Sequence, residues 1–420
     1  MRTRLTSLLI PLALACACEI IDISIPGVPR GYRTTAGGVP GGRGDTTAVP
    51  GQEAPDTAVL VCGVAVPEGY EWQKDTAMGA VQSRLVLYRD SALVLSLPIG
   101  AEHHLNPYPD SHHLCGGHVY SEYTSEGRTW ISADGEVLFD YEGSEYLKGL
   151  AVKDGSLFTL GCDPATGDLT LRKDGISLLK ISGGRVFGGF GEDSPALYPD
   201  GDGVFFAYSE GGSVQTVLDG VVSRAELPPG AEAVEDYRII GGEECIVYEK
   251  GGYVHCTAAG KDFTITRTAS GMGDFHAVDC GAGAAVTGRL RSRTSSGSVY
   301  LRLRDPSVWF FRTDVIRLLD SPGGVPSGIT ARPYSAYSAG AESRNPGAVL
   351  YSFPDRFLFT AEALAEAGGH RFAGLSSSDG GRPCLARDGT PVREYPFNGY
   401  IACISLEITS SGDGSRPDAR

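Results

Sequence analysis

The sequence predicts an all-β fold, a β-propeller of eight blades, with seven blades as the alternative. Short alternating apolar runs are joined by turns built on Asp or Gly, and these turns recur from one end of the chain to the other. They lie at Arg89-Asp90, Asp134-Gly135, Asp174-Gly175, Asp219-Gly220, Gly260-Lys261, Asp305-Pro306, Pro354-Asp355 and Asp388-Gly389. Their spacings of 44, 40, 45, 41, 45, 50 and 33 residues are typical of a propeller, in which each unit holds four short strands.

One unit of the repeat is clearest between residues 148 and 181. We predict its strands at 150–152, 156–161, 168–172 and 176–181. Asp154-Gly155 and Asp174-Gly175 separate alternating runs there, and Asp-Gly favours the tight hairpin turn that needs positive φ at both central residues. The same order of strands follows in the next two units.

The two ends of the repeat predict how the ring closes. Residues 400–406 have the form of a first strand with nothing after it, and residues 59–64 that of a second strand with nothing before it. Pairing them completes one blade and removes open sheet edges. The pattern is weakest late in the chain, where 335–344 reads poorly as strand and 362–368 looks helical, so two of the eight hairpins could share one irregular blade.

The first residues have the form of an export signal. Arg2 and Arg4 precede an apolar run at 5–15, which is shorter than the roughly 20 residues that span a bilayer. The run ends in Leu12-Ala13-Leu14-Ala15-Cys16, which resembles the lipobox of bacterial lipoproteins. The resemblance implies cleavage before Cys16 and acylation of that residue, with Cys18 as the alternative site. An ordinary secretory signal with incidental cysteines would explain the same residues.

Composition divides the rest of the chain. We expect a signal peptide at 1–15, a Gly- and Pro-rich flexible tether at 16–56, the propeller at 57–408 and a disordered tail at 409–420. As a whole the chain resembles, at the level of the class, lipid-anchored propeller lipoproteins of the Gram-negative cell envelope. The resemblance implies an outer-membrane-anchored protein, periplasmic or surface-exposed, that binds a protein or glycan.

The net charge argues against one class of partner. It is −15 at neutral pH, and binding to a phosphate backbone needs clustered Lys and Arg. We therefore expect no nucleic acid, contact with the membrane through the lipid anchor alone, and a monomer.

Five of the eight histidines form the sharpest local anomaly. They are His103, His104, His112, His113 and His118, and most fall on the connection between the first two blades. Imidazoles are good metal ligands, but this spacing matches no standard metal motif, and neighbouring side chains on a strand point apart. We assign no metal or cofactor and take His103, His104, His112 and His113 as candidate ligand contacts. A polar loop with local hydrogen bonds is the alternative.

Two further groups are candidates. If Lys250-Gly251 is a two-residue turn, Cys245 lies directly opposite Cys256 and the pair suits a disulfide; two buried free thiols are the alternative. Arg289, Arg291 and Arg302 share a face of two adjacent predicted strands, which would suit an anionic ligand; solvated or acid-paired guanidinium groups are the alternative.

The sequence favours binding over catalysis without naming a reaction. It contains no GxSxG, HExxH or phosphate-binding glycine loop. The first hypothesis is a binding module for a protein or glycan at the cell envelope. The alternative is a propeller glycosidase or lyase acting on polysaccharide, which would need two carboxylates about 5–9.5 Å apart at the mouth of the channel. A mouth with aromatic rings and no paired acids would favour binding.

Overall fold

The computed structural model describes residues 57–70, 82–108, 111–188, 196–200, 203–267, 272–279, 283–291, 296–303, 307–311, 315–319, 326–331, 333–339, 346–367 and 370–408. The predicted signal, tether and tail, with Cys16 and Cys18, lie outside these ranges. Strands within them form eight antiparallel sheets arranged as the blades of a ring, so the eight-bladed prediction is confirmed. No helix in the described part of the chain is long and apolar enough to cross a membrane.

The first four blades, numbered from the N-terminus, contain 17 of the 34 strands found among the described residues. Blade 1 contains β1 (Thr57–Val66), β2 (Arg84–Arg89), β3 (Ala92–Pro98) and the last strand, β34 (Asn398–Ile408). Blade 2 contains β4 (His112–Cys115), β5 (His118–Ser125), β6 (Arg128–Ala133) and β7 (Glu136–Glu142). Blade 3 contains β8 (Tyr146–Lys153), β9 (Ser156–Cys162), β10 (Leu169–Lys173) and β11 (Ile176–Ile181). Blade 4 contains β12 (Arg185–Val186), β13 (Tyr198–Asp200), β14 (Gly203–Glu210), β15 (Ser213–Leu218) and β16 (Val221–Arg224).

The other four blades repeat the arrangement. Blade 5 contains β17 (Ala233–Ile240), β18 (Glu243–Lys250), β19 (Tyr253–Ala258) and β20 (Lys261–Arg267). Blade 6 contains β21 (Met272–Asp279), β22 (Ala284–Arg291), β23 (Ser296–Arg302) and β24 (Ser307–Phe311). Blade 7 contains β25 (Arg317–Leu319), β26 (Ser327–Thr330), β27 (Tyr334–Ala339) and β28 (Pro346–Phe353). Blade 8 contains β29 (Arg356–Phe357), β30 (Leu364–Ala367), β31 (His370–Ser377), β32 (Cys384–Arg387) and β33 (Thr390–Glu394).

The repeated Asp has a structural reason beyond its turn. In five blades an Asp with positive φ begins the two-residue turn between the third and fourth strands. Its backbone N–H donates to a carbonyl oxygen of the second strand, and its carboxylate accepts the N–H of that same residue at 2.8–3.3 Å. The five pairs are Asp90 with Val59, Asp134 with Val119, Asp174 with Leu157, Asp219 with Val204, and Asp388 with Arg371. Blade 5 has Ala259 at this position, also with positive φ.

The ring closes as the sequence predicts. Strand β34 pairs antiparallel with β1 from Thr57–Ile408 to Val66–Asn398, so blade 1 takes one strand from the C-terminal end of the ring and three from the N-terminal end. We call this ladder the seam. A side chain at Gly399, whose φ is +139°, would overlap the carbonyl oxygen of Val64, so glycine is needed for the two strands to approach there.

Apolar packing lies between adjacent blades rather than in one central core. One buried cluster joins blades 3 and 4 through Leu160, Leu171 and Phe206, and another joins blades 5 and 6 through Val247, Cys256 and Val286. Each of these clusters buries the facing sides of two adjacent blades, and in this way a ring of sheets covers its apolar surface.

The two ends of the ring differ. Turns between first and second strands, and between third and fourth, lie at one end, which we call the tight-turn end; in blades 2, 3 and 5 they are two residues long. The opposite, long-connection end carries the longest links between consecutive strands, residues 67–83 and 99–111. Thr57 and Ile408 pair at the tight-turn end.

Three details late in the chain differ from the sequence-based expectations. Residues 334–339 form strand β27, although 335–344 lacked a strand-like pattern. Strand β27 belongs to blade 7 and the hairpin at Asp388-Gly389 to blade 8, so the two do not share one irregular blade. Residues 362–367 do not form an α-helix: a single 3-10 turn at Ala361–Ala363 leads directly into β30, and Gly368 lies outside the described residues. Pro354-Asp355 joins blade 7 to blade 8 instead of forming a hairpin within one blade. Tertiary packing between blades overrides weak local patterns here.

Candidate functional site

The connection from blade 1 to blade 2 is built as a small clamped loop. Gly100 and Leu105 exchange backbone hydrogen bonds of 3.2 and 3.3 Å, which close the loop at its base. Leu105 is buried among the apolar residues between blades 1 and 2 and anchors the loop. The tip therefore holds His103 and His104 at the long-connection end of the ring.

Three aromatic rings meet at this loop, and we call them the His104 platform: His104, Tyr123 and Trp130. The His104 ring stacks on Trp130 with centroids 4.6 Å apart and an angle of 12° between the ring planes. Tyr123 lies 5.7 Å from His104 and 5.6 Å from Trp130. Tyr123 and Trp130 are cross-strand partners on β5 and β6, so the sheet holds two of the rings rigidly.

His104 has two properties that suit a ligand contact. Its backbone adopts the left-handed region, with φ of 49°, which is uncommon for a residue with a side chain. Its Nδ1 atom is buried and makes no hydrogen bond within the described part of the chain. The platform thus offers partly exposed ring surface, and the His104 Nδ1 atom lies beneath it without a hydrogen-bond partner among the described residues.

His112 supports the base of the loop instead of facing a ligand. The ring is fully buried, with Nε2 2.8 Å from the carbonyl oxygen of Asn106 and Nδ1 2.8 Å from Oγ of Ser121. A carbonyl oxygen only accepts, so Nε2 carries the hydrogen and Nδ1 accepts from the Ser121 hydroxyl. Burial lowers the pKa of His112 to about 4, which keeps the ring neutral near pH 7.

His113 points away from His112 and meets a residue far along the chain. Its Nδ1 lies 3.1 Å from both carboxylate oxygens of Glu362, in the 3-10 turn of blade 8. The two side chains are largely buried, with 5% and 18% of their surface exposed. Thr360, beside this turn, donates a hydrogen bond from its hydroxyl to the carbonyl of Ala402 on β34. The His113–Glu362 pair therefore joins blade 2 to blade 8 beside β34 of blade 1.

The structure does not bring the five histidines together. His103 is partly exposed, and His118 makes a surface contact of 2.6 Å with Asp134 at the tight-turn end. Within the described ranges, no group of three or more His, Cys, Asp or Glu side chains is placed to hold a metal ion. Of the four candidate contacts, His103 and His104 lie at the loop tip, whereas His112 and His113 are buried between elements.

The ladder register places Arg289 and Arg302 on the same face of β22 and β23, in blade 6. Arg289 pairs with Ser298 and is exposed, with one guanidinium nitrogen 3.9 Å from Asp274. Arg302 pairs with Ala285, four positions along the ladder, and its buried guanidinium lies over the Trp309 ring at 4.8 Å. Arg291 is on β22, and its side chain is outside the described part. That these arginines bind an anionic ligand stays a prediction.

The predicted opposition of Cys245 and Cys256 is wrong. The turn is Gly251-Gly252, because Lys250 pairs with Tyr253, and both glycines have positive φ. Cys245 therefore lies opposite Ala258, and Cys256 lies opposite Val247. Both are buried free thiols, and burial raises the pKa of Cys245 to about 12. A tight turn favours Gly-Gly over Lys-Gly since both central residues need positive φ.

The buried carboxylates hold the architecture together. Glu145 accepts two hydrogen bonds from Arg172 at 2.6 and 2.8 Å. Asp236 on blade 5 accepts the backbone N–H of Ala277 on blade 6 at 2.8 Å and pairs with Arg238 at 3.1 Å. Buried charges need such partners, and their use here is to join strands and blades.

An open depression of about 460 Å³ lies away from the histidines, on blade 8 beside blade 7. Its wall carries charges of both signs from Asp355, Arg356, Arg393 and Glu394. Arg393 also lies 3.4 Å from Asp90 of blade 1. These charges offset one another, so the depression lacks the one-signed lining that selects a charged ligand.

Sequence reasoning missed the partners of the platform and of His113. The segment 123–130 contains an aromatic cross-strand pair, a readable signal, but nothing in the sequence links it to His104. Glu362 lies 249 residues from His113, and a lone Glu in a variable connection carries no signal for such a contact.

Comparison with known proteins supplies no family. No protein-family model matches the sequence, and no curated protein matches it. The chain is similar to Citrobacter koseri AztD at 9% identity and a TM-score of 0.44, over 85% of this chain and 99% of that one. It is similar to TolB from Acinetobacter baumannii at 11% identity and a TM-score of 0.33, over 83% of this chain and 82% of that one. The fold assignment rests on the eight sheets themselves.

Proposed function

We propose that the protein is an exported, lipid-anchored propeller that binds a protein or glycan partner at the cell envelope through its long-connection end. Cys16 is the proposed acylated residue, with Cys18 as the alternative, and the outer membrane is the proposed location. The lipid provides the membrane attachment, and the ring provides the binding surface.

The observation that carries this proposal is the placement of the ends of the ring. Thr57 lies at the tight-turn end, and the His104 platform lies at the opposite end. A tether leading into Thr57 from an anchored Cys16 would therefore leave the platform directed away from the membrane. This orientation is the one that a binding module needs.

The chemistry of the site favours binding over hydrolysis. Stacked aromatic rings suit the flat faces of sugars or the aromatic and amide groups of a protein. The buried Glu145 and Asp236 and the half-buried Glu362 are engaged with Arg172, Arg238 and His113, respectively. Fold alone does not choose between the two classes, because propellers host both.

Lipidation is tested by metabolic labelling with an alkyne fatty acid in a Gram-negative host. We expect the wild-type chain and Cys18→Ala to incorporate the label and partition with membranes, and Cys16→Ala to lose both properties. Labelling of Cys16→Ala together with loss in Cys18→Ala would move the anchor to Cys18. If both variants keep the label, neither Cys16 nor Cys18 is the required acylation site, and the proposed anchor is contradicted.

The binding face is tested with a photoreactive phenylalanine analogue at two exposed positions. Tyr108, 48% exposed, lies on the connection at the long-connection end, and Ile176, 70% exposed, begins β11 at the tight-turn end. We expect a discrete cross-linked partner from position 108 that is lost in Trp130→Ala, and none from position 176. Cross-linking from position 176 alone would contradict the proposed orientation.

A glycan partner is tested by an array of envelope polysaccharides, with Trp130→Ala as the variant and His118→Ala as the matched control. Retained glycan that is lost only in Trp130→Ala supports a glycan-binding platform. New reducing ends or unsaturated sugars released from polysaccharide would instead support the alternative, a glycosidase or lyase.

A further inference from the structure

Two cysteines lie directly opposite each other at the seam. Cys62 on β1 is the cross-strand partner of Cys403 on β34. Directly opposite residues in antiparallel strands have Cα atoms about 4.5–5.5 Å apart, and a disulfide joins Cα atoms about 4.4–6.8 Å apart. Cross-strand partners such as these therefore fall within the range that a disulfide spans, and the bulge of the ladder begins only after them, between Cys62 and Gly63.

The two thiols lie together inside the ring. Both residues are buried, with 1% of the surface of Cys403 and 0% of that of Cys62 exposed, and the Cys62 side chain contributes to the raised pKa of Cys403. Leu60, Leu85 and Leu105 belong to the apolar cluster around them. Burial raises the pKa of the Cys403 thiol well above its ordinary value.

Among the cross-strand pairs of the described strands, this one alone joins two cysteines. Cys115 pairs with His118, Cys384 with Leu375, and Cys162 with Leu169. Cys245 and Cys256 are two positions out of register with each other. The direct pair thus occurs at the one ladder where the two ends of the ring meet.

We propose that Cys62 and Cys403 form a disulfide bond that closes the propeller ring covalently. In cells this rests on the proposed export, since disulfides persist in oxidising compartments. Two thiols become one S–S bond by releasing two protons and two electrons. A donor disulfide, protein or glutathione, accepts both and is reduced to two thiols.

Burial dictates when the bond forms. The thiolate is the reacting species, and a fully buried thiol of raised pKa supplies little of it in the folded ring. Exchange with a donor disulfide therefore takes place while β34 is docking against β1, before the apolar cluster excludes the reagent. The same burial then shields the finished bond from reductants.

The experiment uses the full chain, reduced and unfolded, then refolded in a buffer of oxidised and reduced glutathione and alkylated under denaturing conditions. Trypsin places Cys62 in the peptide 44–74 and Cys403 in the peptide 394–420, each with a single cysteine. We expect these two peptides to be linked in the major product and to separate on reduction. Recovery of both as alkylated single peptides from folded protein would overturn the proposal.

Variants separate a specific bond from random oxidation. Cys256→Ala should retain the link between 44–74 and 394–420, and Cys403→Ala should lose it while the 44–74 peptide becomes alkylated. Links distributed evenly among the cysteines would overturn the proposal. The wild-type measurement decides the matter even if Cys403→Ala fails to fold.

A second arm distinguishes this proposal from the proposed function. Protein extracted from cell envelopes after rapid alkylation should carry the same link. A link that forms on refolding but is missing in cells contradicts the exported location. A link missing in both arms overturns the disulfide.

Discussion

Blade 1 and blade 5 use the same four-stranded sheet but meet different demands. Blade 5 comes from one continuous stretch of chain, and every neighbouring pair of its strands is joined by a two-residue turn. Blade 1 takes β34 from the far end of the chain, so no turn joins β34 to β1. Blade 5 places Cys245 and Cys256 out of register, whereas the seam places Cys62 and Cys403 directly opposite.

This difference shows that the seam is the place where closing the ring has the largest entropic cost. A hairpin turn keeps two strands close at a small entropic cost, whereas closing the seam orders nearly the whole intervening chain. The seam compensates with its length, with a glycine at position 399 that permits close approach, and with two buried cysteines directly opposite each other. We therefore predict that a substitution or deletion at the seam destabilises the entire ring more than a comparable change in blade 5.

Deleting residues 400–408 should produce the largest effect. The deletion removes most of β34, including the buried side chains of Ile401 and Ile404, and leaves β1 as an open edge. We expect loss of more than about 5 kcal/mol in the free energy of unfolding, followed by loss of cooperative melting of the whole domain. Far-ultraviolet circular dichroism during heating measures it, and deletion of 409–420 is the control. Equal melting of both truncated proteins would contradict closure by β34.

Replacing Cys62 should produce the second-largest loss of stability. In protein refolded under oxidising conditions, Cys62→Ala is expected to lower the free energy of unfolding by about 2–5 kcal/mol, because the lost bond closes a very long loop. In protein refolded with reductant the variant should lose less, mainly the packing of one sulfur atom. The matched control, Cys256→Ala, should show the same cost in both conditions. Denaturant titration measures both variants, and a cost for Cys62→Ala independent of redox conditions would count against the seam bond.

Acid should weaken the region beside the seam through His112. Its pKa is about 4 in the folded protein against 6.5 in the unfolded chain, so between these values the unfolded state binds the extra proton. This contribution to stability is present above pH 6.5, declines as the pH falls towards 4, and reaches a loss of about 3 kcal/mol. His112→Gln should flatten that part of the pH profile, whereas His118→Gln should leave it unchanged. Matching profiles for wild type and His112→Gln would show that His112 is not buried in a neutral form.

The smallest effect concerns the turn between the third and fourth strands. Asp90 accepts the N–H of Val59 in blade 1, and Ala259 occupies the matching turn position in blade 5. Asp90→Ala should cost about 1 kcal/mol in the free energy of unfolding, since it removes the acceptor of the Val59 N–H and the exposed contact with Arg393 and leaves a less suitable residue at positive φ. Asp90→Asn should cost less, because Asn tolerates the left-handed region and retains an acceptor. An equal cost for both substitutions would assign no role to the acceptor.

The repeat is readable from sequence because it is local. Asp174-Gly175 and Asp134-Gly135 fix both the turn type and the adjacent register, and the structure has both turns where they are predicted. Closure between 59–64 and 400–406 is also readable, because each segment lacks a neighbour that the repeat requires. Blade count and strand order follow from those two signals.

Register across the seam and contacts between blades are not readable in this way. No turn sets the alignment of β1 with β34, so the sequence cannot show that Cys62 meets Cys403. In blade 5 a choice between Lys250-Gly251 and Gly251-Gly252 changes which residues face Cys245. The His104 platform and the His113–Glu362 pair depend on irregular connections, whose paths are set by packing against neighbouring blades.

Hydrogen–deuterium exchange at the seam tests the central claim most directly. Peptides covering 57–66 and 398–408 are compared with peptides covering 243–258 in full-length protein refolded with and without oxidant. We predict that the seam peptides and the blade 5 peptides are equally protected in oxidised protein. After reduction, the seam peptides should exchange roughly tenfold faster or more, and faster than the blade 5 peptides. Seam exchange that reduction leaves unchanged would contradict a ring held closed by the Cys62–Cys403 bond.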